Sequence, residues 1–275
     1  MLDGGNNMKC VVITGSARGL GFEMAKCFRK KNFNVVISDL FKNDIDNAKS
    51  KLLDIKSDGE VLSVVCDVTQ ESDIKKLIKS SKKKFGNIDI WINNAGVNQP
   101  DKMIWELSGE EIGKLIDIDL KGTMIASKLI MEEMIKQENG AIYNVEGHGS
   151  NDAVIPGLSV YGTAKRGVTY FTNALAKEIE NRKVDIMVGK LAPGIMITDF
   201  VVNAFRDKKI ELSKKNKQVY NILGDYPDVV ANFLVNRMIS NTDNNVRINW
   251  LTNRKVAFRF MSSFIRKRDF FSEKK

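Results

Sequence analysis

The chain has 275 residues, 43% of them apolar, and a formal charge of +9. That is enough apolar material for one substantial core, which excludes a disordered chain, and the length suits one large α/β domain better than two small ones. The charge is uneven: residues 246–275 carry nine Lys/Arg against Asp269 and Glu273, so the body is near neutral, which argues against a nucleic-acid partner.

Residues 1–7 are polar and Gly/Asn-rich and read as a flexible N-terminus without the apolar core of an export signal. Short β-branched runs at 10–14, 34–38, 61–66, 88–92, 141–145 and 184–191 predict strands. Between them lie segments of helical length and period, with Leu20, Met24 and Phe28 on one face of the first. Further helices are predicted over 71–85, 109–137, 160–182 and 227–240. Strands that are continuously apolar are buried on both faces, hence parallel, and strand–helix alternation then gives right-handed βαβ units. The expected fold is α/β, a single doubly wound parallel sheet over residues 8–245. Residues 203–217 are charged and expected outside the sheet, and 246–275 form a basic helical extension. There a helix over 254–268 sets Ala257, Phe258, Met261, Phe264 and Ile265 on one face and Lys255, Arg259 and Arg266 on another. No apolar run approaches the ~20 residues of a membrane span. The three cysteines, Cys10, Cys27 and Cys66, form no CxxC pair and predict reduced thiols in a cytoplasmic protein. One histidine, His148, leaves too few ligands for a zinc site, and no metal is expected.

The first strand runs through Gly15, Ser16, Arg18, Gly19, Leu20 and Gly21 into a helix. Glycine there permits a sharp turn and close approach of a pyrophosphate, and the helix N-terminus supplies free N–H groups. The second strand ends at Asp39, whose carboxylate can take both ribose hydroxyls of adenosine and repels a 2′-phosphate. That favours NAD; Arg18 and Lys42 pull towards NADP. Asp67 and Val68 after the third strand, and Asn94, Ala95 and Gly96 after the fourth, line the same crevice.

Tyr161 and Lys165 stand one helical turn apart. A free phenol has a pKa of ~10, and a neighbouring ammonium, with the cationic oxidised nicotinamide, favours its phenolate. Tyr161 is then expected to serve as general acid/base in a carbonyl–alcohol conversion, with Lys165 lowering its pKa.

These residues, with Pro193-Gly194 and Thr198, resemble the motif set of short-chain dehydrogenase/reductases, in order, over about residues 9–200. The resemblance implies a Rossmann-type fold, a nicotinamide cofactor, Lys165 on the nicotinamide ribose, and Ile195 and Thr198 on the carboxamide. Two positions depart. Asp119 stands where the family usually has Asn, whose main-chain carbonyl holds a relay water. The catalytic serine of Asn-x-Ser-Ser is displaced: the stretch reads Asn144-Val145-Glu146-Gly147-His148-Gly149-Ser150. Ser150 is the candidate replacement, and His148 is a second donor. The acidic-Gly-x-Gly-Ser loop and the basic, aromatic tail are similar to the chlorophyll(ide) b reductase-like branch. That branch implies reduction of a conjugated carbonyl on a bulky apolar substrate.

Three readings of the tail stay open: a helix packing its Phe258/Met261/Phe264 face on the body or a partner subunit, a helix on an anionic membrane surface, or a wall of the substrate pocket. The usual C-terminal strand and glycine pair of the family are expected to be absent. A homo-oligomer is expected, paired through 109–137 and 160–182, with Met124, Ile125, Leu129 and Phe171 as interface candidates. The partner is a small molecule with a carbonyl or secondary alcohol. The alternative function is a nucleotide-binding sensor or scaffold that has lost the serine and weakened its chemistry.

Overall fold

The apolar runs pair as parallel strands. In the computed structural model, which describes residues 8–100, 102–182, 184–198, 203–204, 208–209, 212–263, 265 and 268–271, β1 (Cys10–Ile13), β2 (Asn34–Asp39), β3 (Val61–Val65), β4 (Ile90–Asn93), β5 (Asn139–Val145) and β6 (Asp185–Ala192) alternate with helices. The helices are α1 (Gly19–Arg29), α2 (Lys42–Leu53), α3 (Glu71–Phe85), α4 (Gly109–Ile116), α5 (Thr123–Gln137) and α6 (Ser159–Glu180). Two short strands, β7 (Asn203–Ala204) and β8 (Lys208–Lys209), pair outside the main sheet, followed by α7 (Lys214–Leu223) and α8 (Pro227–Ile239). A seventh sheet strand, β9 (Arg247–Asn249), and α9 (Asn253–Ser263) complete the described elements.

The sheet runs β3-β2-β1-β4-β5-β6-β9, all neighbours parallel. Its direction of winding reverses between β1 and β4, which opens a crevice at their carboxyl ends. Both faces are covered. On one, Met24 and Phe28 of α1, Leu52 of α2 and Leu234 and Met238 of α8 pack against Val11, Ile13 and Val35. On the other, Ile74 and Leu77 of α3, Ile130 and Met134 of α5 and Ile179 of α6 pack against Val12, Trp91 and Val188. Burial on both faces is why the strands lack polar alternation.

Three expectations change. The predicted helix 109–137 is interrupted by a π-helical turn, Asp117–Gly122, which resets the register between α4 and α5. The expected boundary at residue 246 cuts the sheet, because Arg247–Asn249 pairs with 190–192 of β6. The family's last strand is therefore present; it needs backbone pairing rather than the missing glycine pair. The tail helix also faces the other way. Phe258 and Met261 are exposed, while Arg259 is half-buried on Asp225. Arg259 and Lys255, two of the charges set on the polar face, turn towards Asp225 and the Trp250 ring, and Arg268 joins Arg259 on Asp225. Phe264 and Arg266 lie outside the described residues, as do residues 1–7. Among the described residues no helix is long and apolar enough to cross a membrane.

Candidate active site

The glycine turn is shaped by what a side chain would strike. Gly15 has φ +60, and a Cβ there would lie 2.6 Å from the Ala95 Cα; at Gly21 it would lie 2.5 Å from the Asn94 Nδ2. Asn94 donates from Nδ2 to the carbonyls of Thr14 (2.9 Å) and Gly15 (2.8 Å), and the N–H groups of Asn94 and Ala95 donate to Thr14 Oγ1. The turn after β1 and the end of β4 are thus one unit. Arg18, exposed at the N-cap of α1, offers no side-chain cap, so the first N–H groups of the helix stay open to an anion beside Gly19 and the buried Leu20. Ser16 is structural on its side-chain end: its hydroxyl donates to the Ile13 carbonyl (2.7 Å) and accepts from the Ser38 N–H.

Asp39, at the carboxyl end of β2, accepts from the Ala17 N–H (3.2 Å) and the Leu40 N–H (2.9 Å). Its carboxylate therefore braces the glycine turn. Lys42, the cation read as favouring NADP, pairs with Asp46. Asp67 accepts from the backbone and hydroxyl of Thr69. Val68 closes on Gly122, where a Cβ would sit 2.9 Å from the Val68 carbonyl oxygen. Thr14, Val68, Asn93, Ala95, Ile118, Gly122 and Thr123 line the cleft at the switch point. The open helix terminus, the bare glycines and the acid at the end of β2 together fit a dinucleotide.

At the chemical end, Tyr161 and Lys165 are both buried on α6, with the Lys165 Nζ 5.6 Å from the Tyr161 ring centre. The Asp119 carboxylate, fully buried in the π-helical turn, lies 2.9 Å from the Lys165 Nζ and accepts from the Val97 N–H at 2.8 Å. Its carbonyl, read as a relay-water ligand, accepts from the Thr123 hydroxyl at 3.0 Å. The carboxylate is thus the part of Asp119 that engages the site. A Cβ on Gly96 would come within 3.1 Å of the Asp119 Oδ2 and 3.4 Å of the Lys165 Nζ, so a side chain there would crowd this pair.

Lys165 lowers the Tyr161 pKa as expected, but burial outweighs it. Burial pushes the phenol up to about 12 against the pull of Lys165, and Asp119 and Tyr220 add to the rise. Burial pushes the Lys165 ammonium down, yet Asp119 and Tyr161 carry it above its ordinary value. Burial also raises the Asp119 carboxyl, more than Lys165 and the Val97 N–H lower it.

Ser150 does not replace the missing serine. Its hydroxyl donates to the Lys165 carbonyl (3.2 Å) and accepts from the Gly147 N–H (3.2 Å), which ties the loop to α6. Gly147 is what abuts the phenol: a Cβ there would lie 2.2 Å from the Tyr161 Oη. The Nε2 of His148 is buried without a hydrogen-bond partner, and burial lowers its pKa.

Sequence reasoning missed two supports. Gln99 accepts the N–H groups of Val160 and Tyr161 (3.0 and 3.1 Å), capping from 61 positions away the helix that carries the site. Asn93 donates to Asn144 (2.8 Å) and Ser127 (2.9 Å), and Asn144 donates to Thr172 (2.9 Å), which locks β4, β5, α5 and α6 together beneath the cleft. Polar residues at the ends of apolar strands were the available signal. Beyond β6, Pro193 is buried, Gly194 has φ +72, and Ile195 and Ile197 pair with Asp225. Thr198 is half-buried at the edge of the described segment.

Residues 9–209 match the family model described as short chain dehydrogenase. The chain belongs to the short-chain dehydrogenase/reductase family. As a member it is an NAD(P)-dependent oxidoreductase by fold and family. It is 31% identical over 279 residues to a probable chlorophyll(ide) b reductase NYC1, chloroplastic, of Oryza sativa subsp. japonica, covering 96% of this chain and 54% of the relative. It is 35% identical over 228 residues to the chlorophyll(ide) b reductase NOL, chloroplastic, of the same plant, covering 82% and 65%. The chain thus spans about half to two thirds of the length of these relatives. Among solved structures it is similar to a 3-ketoacyl-(acyl-carrier-protein) reductase from Brucella melitensis complexed with NADH, with TM-score 0.74, 25% identity, and 88% and 96% of the two chains covered. The cytoplasmic expectation is corrected by the two plant relatives, both chloroplastic by name. Reduced thiols mark any reducing compartment, so they carried less than was read from them.

Proposed function

We propose that this chain reduces a carbonyl group on a bulky apolar substrate, with Tyr161 as the proton donor. One observation carries the reading: Tyr161, Lys165 and Asp119 form a buried cluster at the carboxyl edge of the sheet, beside the glycine turn. NAD(P)H, when bound, supplies the hydride. Gly15, Ser16, Arg18, Gly19, Leu20 and Gly21 would hold its pyrophosphate, and Asp39 the adenosine ribose, which favours NAD. Asp67, Val68, Asn94, Ala95 and Gly96 would line its path, and Lys165, Pro193, Gly194, Ile195 and Thr198 its nicotinamide end.

A phenol held at about 12 is protonated throughout the neutral range, the state a reduction needs. When the Tyr161 Oη gives its proton to the substrate oxygen, the phenolate left behind is compensated by the Lys165 ammonium. Asp119 keeps that ammonium in place. The names of the plant relatives support a conjugated carbonyl on an extended apolar molecule as substrate. Pairing of subunits through α5 and α6 belongs to the same reading. Met124 is exposed there, whereas Leu129 is spent in the core.

The test is turnover of a panel of aldehydes, ketones and alcohols by wild type and by Tyr161→Phe. Loss of turnover by about 10²-fold or more, with cofactor affinity kept, is the expected result. The absence of any side-chain hydroxyl at Gly147 favours a second reading, a nucleotide-binding sensor. Cofactor binding without turnover of any panel member would select it.

A further inference from the structure

Asp225, in the turn between α7 and α8, is buried and holds together parts of the chain far apart in sequence. Its backbone pairs with the segment that leaves β6. The Asp225 N–H donates to the Ile195 carbonyl (3.0 Å), and the Ile197 N–H donates to the Asp225 carbonyl (3.0 Å). Its carboxylate is gripped by the tail. The Trp250 Nε1 donates to Oδ2 (2.6 Å), the Arg259 Nη2 lies 2.7 Å from Oδ2, and the Arg268 Nη2 lies 3.1 Å from Oδ1.

The same guanidiniums close the end of α7. Arg259 donates to the Leu223 carbonyl (2.8 Å) and Arg268 to the Gly224 carbonyl (2.6 Å), satisfying acceptors that a helix C-terminus leaves open. The tail also touches the segment directly. The Trp250 N–H donates to the Ala192 carbonyl (3.0 Å), and a Cβ on Gly194 would lie 2.9 Å from the Leu251 Cβ. The Trp250 ring packs on Phe233 of α8 at 5.2 Å between centres.

We propose that Asp225 is a positioning residue through which the C-terminal extension holds segment 195–197 in its cofactor-binding place, so that the extension is a working part of the cofactor site. This rests on the reading that segment 193–198 holds the nicotinamide end. A segment just past a strand end has few ladder partners of its own, and here, among the described residues, its backbone bonds outside the sheet go to Asp225. The carboxylate that fixes Asp225 is in turn fixed by three tail donors. Removing the charge leaves two guanidiniums facing a neutral group in a largely buried site, and the tail loses its grip. Segment 195–197 then samples other positions, and the cofactor bears the cost of ordering it on binding.

The experiment compares the full chain with Asp225→Asn, Asp225→Glu and Arg268→Met, the last altering the more exposed of the two arginines. NADH and NADPH affinities are measured by calorimetry, KM for the cofactor and kcat by turnover, and Tm by melting. Asp225→Asn is expected to raise the cofactor Kd and KM about tenfold, a loss of roughly 1.4 kcal/mol, with a much smaller change in kcat at saturation. Asp225→Glu is expected to recover part of the loss, and Arg268→Met to raise Kd by less than Asp225→Asn. A purely structural role would lower Tm and leave Kd alone. If folded Asp225→Asn binds as wild type does, the inference fails while the oxidoreductase reading stands. Should Asp225→Asn not fold, Arg268→Met decides: an unchanged Kd overturns the inference. If wild type binds neither dinucleotide, both readings fall.

Discussion

Asp119→Asn puts at this position the residue the family usually carries, and it isolates what the carboxylate does. The ion pair with Lys165 spans 2.9 Å with both side chains buried. At an effective dielectric of about 20 that is a gross attraction of about 6 kcal/mol, largely offset by the desolvation of both ions. Removing one partner of such a pair typically costs ~3–5 kcal/mol when the other stays charged. The molecule has a way to reduce that cost, because Lys165 lies 5.6 Å from the Tyr161 ring. With Asp119 neutral, the phenolate loses a repulsion that is smaller than its attraction to Lys165, and that attraction, ~3 kcal/mol at the same dielectric or about 2 pKa units, bounds the change from above. Tyr161, at about 12 in the parent, is expected to titrate roughly 1–2 units lower in the variant.

The readouts are tyrosinate absorbance during alkaline titration, with Tyr161→Phe as the blank, and the pH profile of alcohol oxidation. The alkaline limb of that profile should move down by the same amount. Stability adds a signed check. Lys165 is raised above its ordinary value, so its pairing contributes stability that is fully present below about pH 10.5 and is lost as pH rises through the folded value. Asp119 is also raised. Its burial therefore costs stability at neutral pH, a cost that disappears as pH falls through the folded value towards the ordinary one. The Tm gap between parent and variant should close on the alkaline side. Superimposable tyrosinate titrations would refute the reasoning.

Two more outcomes follow from contacts. Gly147→Ala places a Cβ 2.2 Å from the Tyr161 Oη and 2.9 Å from the Lys165 Cγ, so it should displace the phenol, cutting kcat by about 10²-fold and stability by ~1–3 kcal/mol; steady-state kinetics and melting check both. Asp39→Ser removes the charge that repels a 2′-phosphate but also an acceptor for the Ala17 N–H. The ratio of kcat/KM for NADPH to that for NADH should rise by about tenfold or more, while NADH affinity weakens. An unchanged ratio would show that Asp39 does not face the ribose.

What was legible in the sequence was local. The glycine turn, the four-residue spacing of Tyr161 and Lys165, and six strands all follow from patterns within a few residues, and α3 spans the predicted 71–85. What was not legible were partners. The departure at Asp119 was visible, yet its pairing with Lys165 joins residues 46 positions apart across the π-helical turn. Gln99 gives no local sign that it caps α6. Arg259 looked like a solvent-facing cation because helical period gives a face and not its direction; Asp225 decides that direction. β9 was missed because the family's glycine pair was sought, whereas an edge strand needs only a neighbour's free backbone.

The site has in effect exchanged a hydroxyl for a carboxylate. A serine beside the phenol would share the substrate oxygen and the proton; Gly147 offers neither, and Ser150 is committed to the α6 backbone. On the proposed reading, proton delivery then falls on Tyr161, with the ammonium behind it as compensation for the phenolate. An ammonium left free beside a buried phenol would pull it towards phenolate before substrate arrives, which suits oxidation. On the same reading, burial keeps the phenol protonated at rest and Asp119 adds to that rise against the pull of Lys165, so the two departures act in one direction: with no serine to share the proton, the donor itself stays loaded.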